Sequence, residues 1–222
     1  MRASIIPAIL ATTARVCTAH IQTMASVAPL LHLDIMDGDF VPTRTWATPR
    51  RIAALRSSAR FEVHLMVREP MAAVVAWGQV ASVKRIIVHA EAADDLASLL
   101  AALRATGKQV GLAANPGTPL RRLFTFLPHE RRPRAAPEYT ADFLLLMANE
   151  PGFSGRPFRR STLRRVAAVR RRYPELPIGV DIGVHHATIP PLRAAGASHL
   201  IAGSAIFGAP DPVVAYHRLQ RA

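Results

Sequence analysis

Residues 31–38 read Leu31-His32-Leu33-Asp34-Ile35-Met36-Asp37-Gly38, an apolar run that two polar residues interrupt. Such a run is typical of a buried β-strand, and side chains two residues apart in a strand point to the same face. We therefore expect His32, Asp34 and Met36 side by side at the end of a strand. A histidine beside a carboxylate suits a metal or acid–base site, although the pair also fits a buried hydrogen bond that only holds a core together.

The same kind of short apolar run recurs along the chain and alternates with longer segments of helical periodicity. Strands are predicted at 4–10, 30–36, 61–67, 85–89, 109–113, 143–148, 178–181 and 199–202. Helices are predicted at about 14–26, 49–57, 94–106, 119–126, 160–172, 188–195 and 211–219, and a further helix is predicted to begin near residue 70. Residues 128–140 contain three prolines and predict an exposed loop. Strands that are apolar on both faces and joined by helices indicate a parallel sheet. Eight such units, with no Gly-x-Gly-x-x-Gly turn after the first strand, predict the α/β class and a (β/α)8 TIM barrel, a single domain over residues 1–222.

The composition indicates a globular protein without a membrane span or a disulfide framework. Half of the 222 residues are hydrophobic, which is enough for a large core, and no apolar run approaches the roughly 20 residues of a transmembrane helix. The first residues lack the charged region, long apolar stretch and cleavage site of a signal peptide, and Cys17 is the single cysteine. We therefore expect a cytoplasmic protein.

The net charge of +13 comes almost wholly from arginine, since Lys84 and Lys108 are the two lysines. A basic surface can bind nucleic acid or an anionic membrane. The chain has no zinc-finger spacing and no Arg-Gly repeats, and its aromatic content is 6%. The arginines therefore indicate a solvated surface that attracts an anionic substrate, and neither nucleic acid nor a membrane is an expected partner.

Polar residues fall repeatedly at the ends of the predicted strands. His32 and Asp34 end the second, His64 ends the third and Asp181 ends the seventh. Catalytic groups of a barrel lie at the C-terminal ends of its strands. Each residue alone also fits a structural role, but four buried polar groups without a shared partner would be costly. Together they predict a four-ligand site for a divalent cation.

Glycine-containing turns follow the sixth, seventh and eighth predicted strands, and they are Pro151-Gly152-Phe153-Ser154-Gly155, Ile182-Gly183 and Gly203-Ser204. In barrels, loops at this rim commonly present backbone N–H groups to a phosphate, which requires close approach of the backbone. A single glycine of this kind also fits an ordinary turn. Three such turns on one rim predict phosphate binding.

The motifs HLDIMDGDFVP, VHLMV, VHAEA, GLAANPGTP, LLLMANEPGFSGRPF, VDIGV and AGSAIFG resemble, in order and spacing, those of ribulose-phosphate 3-epimerases. The resemblance runs from about Ile5 to Gly208. It implies an isomerase of the pentose phosphate pathway, and so of carbohydrate metabolism, that works as a homo-oligomer. The implied substrate is a small-molecule sugar phosphate: ribulose 5-phosphate would be converted to xylulose 5-phosphate by inversion of C3 through an enediolate.

The resemblance also implies roles for individual residues. One divalent metal ion (Zn, Fe, Mn or Co) would be held by His32, Asp34, His64 and Asp181, with Asp34 and Asp181 as the catalytic acid–base pair. The substrate and its phosphate would contact Gly152, Ser154, Gly155, Arg156, Gly183, Gly203 and Ser204. Ala8, Met36, Met66 and Met147 would line the pocket, and the methionines also fit an ordinary core.

Four positions depart from the pattern of the family. Ala8 stands where the family has serine, Arg156 replaces glutamine, Ile182 replaces glycine, and Thr43-Arg44-Thr45 replaces Asn-Leu-Thr. The four expected metal ligands match those of the family, whereas residues expected near the substrate differ. Two alternatives therefore stay open: an epimerase for another ketose phosphate such as allulose 6-phosphate, and a non-catalytic barrel that binds a sugar phosphate.

Overall fold

The computed structural model describes residues 3–128, 137–153 and 155–222, and they contain a closed barrel of eight parallel strands. The strands are β1 (Ser4–Ile9), β2 (Leu31–Met36), β3 (Phe61–Met66), β4 (Val83–His89), β5 (Gln109–Ala114), β6 (Phe143–Met147), β7 (Ile178–Asp181) and β8 (His199–Ala202). Each strand pairs with the next, and β8 pairs with β1 through Ser4 and His199, which closes the sheet. The predicted (β/α)8 barrel is confirmed.

Helices connect the strands and form the outer layer. They are α1 (Ala14–Met24), α2 (Pro49–Ala53), α3 (Pro70–Gly78), α4 (Leu96–Ala105), α5 (Leu120–Leu123), α6 (Ser161–Arg172), α7 (Ile189–Ala195), α8 (Ser204–Phe207) and α9 (Pro212–Arg221). Within the described ranges, none of these helices combines the length and the apolar character that crossing a bilayer requires.

Several helix boundaries follow from local capping. The side chains of Thr13, Thr48 and Asp211 accept hydrogen bonds from backbone N–H groups in the first turns of α1, α2 and α9. These caps satisfy donors that have no partner inside the helix. Proline in the first turn of α2 and of α9 costs little, because its missing N–H would be unpaired there in any case.

The structure differs from the predicted elements in a few places. Helix α2 is shorter than predicted and ends at Ala53, residues 124–126 form a 3-10 turn, and β4 begins two residues early, at Val83. The short helix α8 lies where the sequence indicates only a turn. Most of the predicted loop at 128–140, residues 129–136, lies outside the described residues.

The strands separate two apolar layers. Alternate residues pack outward against the helices, while an inner cluster fills the barrel and consists of Ile6, Ala8, Ile87, Ala113, Phe143, Leu145, Met147 and Ile201. The inner faces of β2 and β3 differ, because they carry the fully buried His32, Glu62 and His64. The barrel interior is therefore polar on one side, and this side holds the candidate site.

Candidate active site

Four side chains from three strands converge at the C-terminal end of the barrel, and they are His32 and Asp34 on β2, His64 on β3 and Asp181 on β7. One potential ligand atom of each residue lies within 4.8 Å of the others, and all four residues are buried. The nitrogens His32 Nε2 and His64 Nδ1 lie 3.2 Å apart, and each is 3.3 Å from Asp34 Oδ1. Asp181 Oδ2 is 3.8 Å from His64 Nδ1. The four residues predicted as ligands therefore form one cluster.

A buried carboxylate orients His32. The atom Glu62 Oε1 lies 2.7 Å from His32 Nδ1, and Glu62 Oε2 accepts a hydrogen bond from Arg85 Nη1 at 2.7 Å. The arginine keeps Glu62 charged, so this carboxylate is an acceptor and Nδ1 of His32 is the donor. In the neutral imidazole, Nε2 therefore presents a lone pair to the cluster.

A longer chain of hydrogen bonds orients His64. Glu91 Oε2 lies 3.1 Å from His89 Nδ1, and His89 Nε2 lies 2.8 Å from His64 Nε2. Because Glu91 accepts from Nδ1 of His89, Nε2 of a neutral His89 is an acceptor and His64 donates from its own Nε2. Nδ1 of His64 then also presents a lone pair to the cluster. Burial lowers the pKa of both His64 and His89, which favours their neutral forms.

The donor set fits a divalent cation. When both rings are neutral, the hydrogen-bond chains hold the ring protons on His32 Nδ1 and His64 Nε2, so two imidazole lone pairs and two carboxylates face one another. Atoms that bind a tetrahedral ion at about 2.0–2.1 Å are about 3.3 Å apart, close to the separations found here. Burial alone would lower the pKa of His32, but hydrogen bonds to Asp34 and Glu62 outweigh it and hold this pKa well above the usual value. Positive charge is therefore favoured at this point, either as a proton on His32 or as a metal ion that replaces this proton, and these four residues could hold a metal ion.

The two aspartates of the cluster differ in their proton affinity. Burial by itself raises the pKa of Asp34, but the interactions with the adjacent His32 and His64 outweigh burial, so this pKa lies below its usual value. Burial and the nearby charge of Asp34 raise the pKa of Asp181 to about 7. Two carboxylates with opposite shifts are the arrangement found in acid–base pairs.

A cavity of about 300 Å³ opens above the cluster. Asp34 and Asp181 form part of its wall, as do the predicted wall residues Ala8, Met36, Met66 and Met147. His32 and His64 lie beneath this wall and are 0% exposed. The volume is at the lower end of the range for small-molecule sites, so it suits a small ligand that contacts both aspartates.

The predicted phosphate-binding glycines also line this cavity, and they are Gly152, Gly155, Gly183 and Gly203, together with Ser204. Gly183 has a φ of 71°, and a Cβ added there would lie 2.7 Å from the backbone nitrogen of Phe158. The position therefore requires glycine, for its conformation and for the space. Three loops bring backbone close to one small volume, which is what an anion site requires.

One predicted contact residue of the described ranges, Arg156, does not belong to this arrangement. Arg156 is not among the residues that line the cavity, and its guanidinium carbon lies 4.6 Å from the centre of the Phe153 ring. Ser154 lies outside the described residues. Ile182 lines the cavity and has a φ of 76°, a conformation that is unusual for a side chain branched at Cβ.

The sequence analysis missed the residues that orient the two histidines, namely Glu62, Arg85, His89 and Glu91. A signal was present for three of them. Period-two alternation along β3 places Glu62 on the inner face with His64, and along β4 it places Arg85 and His89 on the inner face. Glu91 follows β4 in a loop, and only the folded chain shows its contact with His89.

Solved structures of other proteins share this fold over almost the whole chain. A 3-hexulose-6-phosphate synthase superposes with a TM-score of 0.65 at 19% identity, covering 100% of this chain and 99% of that chain. An orotidine 5'-monophosphate decarboxylase from Sulfolobus solfataricus superposes with a TM-score of 0.64 at 14% identity, covering 99% and 96%. At these identities the likeness concerns the fold alone.

Sequence comparison is more specific. The model of the ribulose-phosphate 3-epimerase family matches residues 4–207. The cytoplasmic isoform of ribulose-phosphate 3-epimerase from Oryza sativa subsp. japonica is 37% identical over 188 residues, which cover 83% of this chain and 78% of that protein. The ribulose-phosphate 3-epimerase of Mycobacterium leprae is 35% identical over 222 residues, covering 98% and 93%. The chain therefore belongs to the ribulose-phosphate 3-epimerase family and is an enzyme of the isomerase class.

Proposed function

We propose that this protein is a metal-dependent epimerase that interconverts ribulose 5-phosphate and xylulose 5-phosphate. The observation that carries the proposal is the pair Asp34 and Asp181, which share a buried cluster with two histidines and also line the cavity. The names of the similar proteins support the reaction and the substrate.

The reaction requires two proton carriers. Inversion at C3 removes a proton from one face of the carbon and returns a proton to the opposite face. Asp34 belongs to β2 and Asp181 to β7, with β1 and β8 between them, so the two carboxylates approach a ligand in the cavity from different strands. In our proposal one carboxylate takes the proton from C3 and the other, in its protonated form, supplies the new one. The opposite pKa shifts of the two aspartates support this division of roles.

Negative charge develops on the substrate oxygens when the C–H proton leaves. A bound divalent cation supplies positive charge at those oxygens, and His32, Asp34, His64 and Asp181 would hold it. Glu62 and His89 keep the two imidazoles oriented, so the ligand atoms need little rearrangement. Met36, Met66 and Met147 limit the access of water to the reacting carbon.

The glycine turns that line the cavity would bind the phosphate. Backbone N–H groups around Gly183 and Gly203 can approach a phosphate closely, because neither residue carries a side chain. A five-carbon substrate fits a cavity of about 300 Å³. A longer ketose phosphate such as allulose 6-phosphate is the second candidate, since Ala8 removes a hydroxyl group from the wall and leaves extra room. We expect a homo-oligomer that works in the cytoplasm.

Nuclear magnetic resonance of ribulose 5-phosphate incubated with the enzyme in D₂O tests the proposal. We expect loss of the C3 proton signal, incorporation of solvent deuterium at C3 and formation of xylulose 5-phosphate. Allulose 6-phosphate in a parallel incubation compares the two substrates. Exchange on allulose 6-phosphate but not on ribulose 5-phosphate would reassign the substrate.

Matched variants test the roles of the aspartates. Asp34→Asn and Asp181→Asn should each lower turnover by at least about a thousandfold, because the amide cannot transfer the proton. Both variants should keep the circular dichroism spectrum of the wild type. The exposed Asp39→Asn is the control and should leave turnover unchanged. Full activity in either variant of the pair would overturn the assigned roles.

A further inference from the structure

One basic side chain lines the described part of the cavity. The polar side chains of the lining residues are His20, Asp34, Asp181 and Ser204. The arginines and lysines of the described ranges all lie outside this lining. A phosphate dianion in the cavity would therefore share it with two carboxylates, and His20 is the one described basic side chain of the lining that can donate a hydrogen bond to it.

The position of His20 is well defined. It belongs to α1 (Ala14–Met24), and its ring stacks on the ring of Phe207 with the centroids 4.0 Å apart and the planes inclined by 13°. Phe207 ends α8, which begins at Ser204 directly after Gly203. Stacking therefore holds the imidazole beside the short helix that follows Gly203, and both Gly203 and Ser204 line the cavity.

The two ring nitrogens of His20 differ in their surroundings. Nδ1 is buried and has no hydrogen-bond partner. A proton on Nδ1 would leave a buried donor unpaired, so the neutral ring carries its proton on Nε2. Burial lowers the pKa of His20, which favours this neutral form. Nε2 forms no hydrogen bond with any residue in the described ranges, which leaves its N–H free for a ligand.

We propose that His20 is a further substrate-binding residue, which donates a hydrogen bond from Nε2 to the phosphate group of the substrate. The inference rests on the proposed function, because it concerns phosphate binding in the same cavity. It adds a side chain, supplied by α1, to a site that otherwise consists of glycine backbone and Ser204. A hydrogen bond to a charged group contributes more than one between neutral groups, so its loss should weaken binding clearly.

Two variants separate the hydrogen bond from the stacking. His20→Phe keeps a ring against Phe207 and removes both nitrogens, while His20→Gln keeps an N–H donor close to the position of Nε2. We expect His20→Phe to raise the dissociation constant of inorganic phosphate, measured by titration calorimetry on the metal-loaded full chain, about tenfold. The KM for ribulose 5-phosphate should rise by a similar factor while kcat changes less than twofold. His20→Gln should recover most of the loss.

A matched control is available on another helix. His217 is also a half-buried helical histidine, but it does not line this cavity, so His217→Phe should bind phosphate as the wild type does. Unchanged phosphate affinity in His20→Phe, or an equal loss in His217→Phe, would overturn the inference. Should His20→Phe fail to fold, as judged by its melting curve, His20→Ala takes its place in the same measurement.

Failure of the inference about His20 can be distinguished from failure of the proposed function. The calorimetric arm uses inorganic phosphate and needs no turnover. Phosphate binding that depends on His20, in a wild type that does not epimerise ribulose 5-phosphate, would overturn the proposed reaction and support the role of His20. Epimerisation of ribulose 5-phosphate, together with phosphate binding that does not depend on His20, would support the proposed reaction and overturn the role of His20.

Discussion

At the scale of single residues, the most consequential feature is the buried ion pair behind the cluster. Glu62 connects His32 to Arg85 through two hydrogen bonds of 2.7 Å. Arg85 also donates to Gln109 Oε1, and its guanidinium carbon lies 3.9 Å from the centre of the Phe143 ring. A buried ion pair of this kind is costly to desolvate, and losing one partner destabilises a protein by about 3–5 kcal/mol. We infer that the pair serves the orientation of His32 more than stability.

This interpretation predicts the effect of Glu62→Gln. The amide keeps an acceptor near His32 but removes the negative charge that makes the imidazole a better ligand. We expect the dissociation constant of the bound metal, measured by competition with a chromogenic chelator, to rise about 10–100-fold. Glu69→Gln, a change at an exposed glutamate, should leave metal affinity unaltered. A metal affinity in Glu62→Gln equal to that of the wild type would argue against the orienting role.

At the scale of elements, the turn after β7 combines function with strain. Ile182 and Gly183 both have positive φ, at 76° and 71°. The backbone N–H of Ile182 donates to Asp181 Oδ1 at 2.7 Å, so the turn also holds the catalytic candidate in place. A left-handed conformation costs about 1–2 kcal/mol for a residue with a Cβ, and the structure accepts this cost at Ile182.

Gly183 leads to a prediction for which Gly107, a second glycine with positive φ, is the control. Gly107 follows α4 with a φ of 72° and has open space around it, whereas a Cβ on Gly183 would lie 2.7–2.8 Å from backbone atoms of Phe158. Gly107→Ala should lower the free energy of unfolding in urea by about 1 kcal/mol, from backbone strain alone. Gly183→Ala should lose at least about 2 kcal/mol more, because it adds a steric clash. Equal losses would show that the turn at Gly183 yields to a methyl group.

At the scale of the whole molecule, global unfolding is linked to the protonation of the partly buried His199. His199, the first residue of β8, is packed edge-on against Phe143 at a centroid distance of 5.2 Å, and Ser198 Oγ lies 2.9 Å from its Nδ1. Burial and the charge of Arg85 lower the pKa of His199 to about 4, against a smaller opposing effect of Glu62. The folded protein therefore takes up this proton less readily than the unfolded chain does.

The sign of the pH dependence follows from this shift. Between about pH 6.5 and pH 4 the unfolded chain binds the proton and the folded barrel does not, so the free energy of unfolding falls as the pH is lowered. His199→Gln removes this contribution. In chelator-treated protein, the stability lost between pH 7 and pH 4 should be smaller in the variant than in the wild type, by about 2–3 kcal/mol. Parallel stability curves, measured by urea unfolding at each pH, would contradict this assignment.

The sequence by itself determined the barrel and the four ligand candidates. Both depend on short-range patterns: eight apolar runs separated by helical segments, and polar residues spaced two apart at strand ends such as His32 and Asp34. The alternation of a strand decides which face a side chain takes, and that information is local. The family resemblance added the roles of these residues, and the family itself is confirmed.

Only the tertiary structure decided which side chains meet across strands and helices. The contact of Glu62 with His32 depends on the register of β2 against β3, the contact of Glu91 with His89 depends on a loop, and the place of His20 in the cavity depends on how α1 packs beside α8. Arg156 illustrates the same limit, because its charge suits a phosphate but its side chain lies against Phe153. The physical reason is that closing the barrel brings together residues that are far apart in the chain, and local sequence periodicity does not determine which of them come into contact.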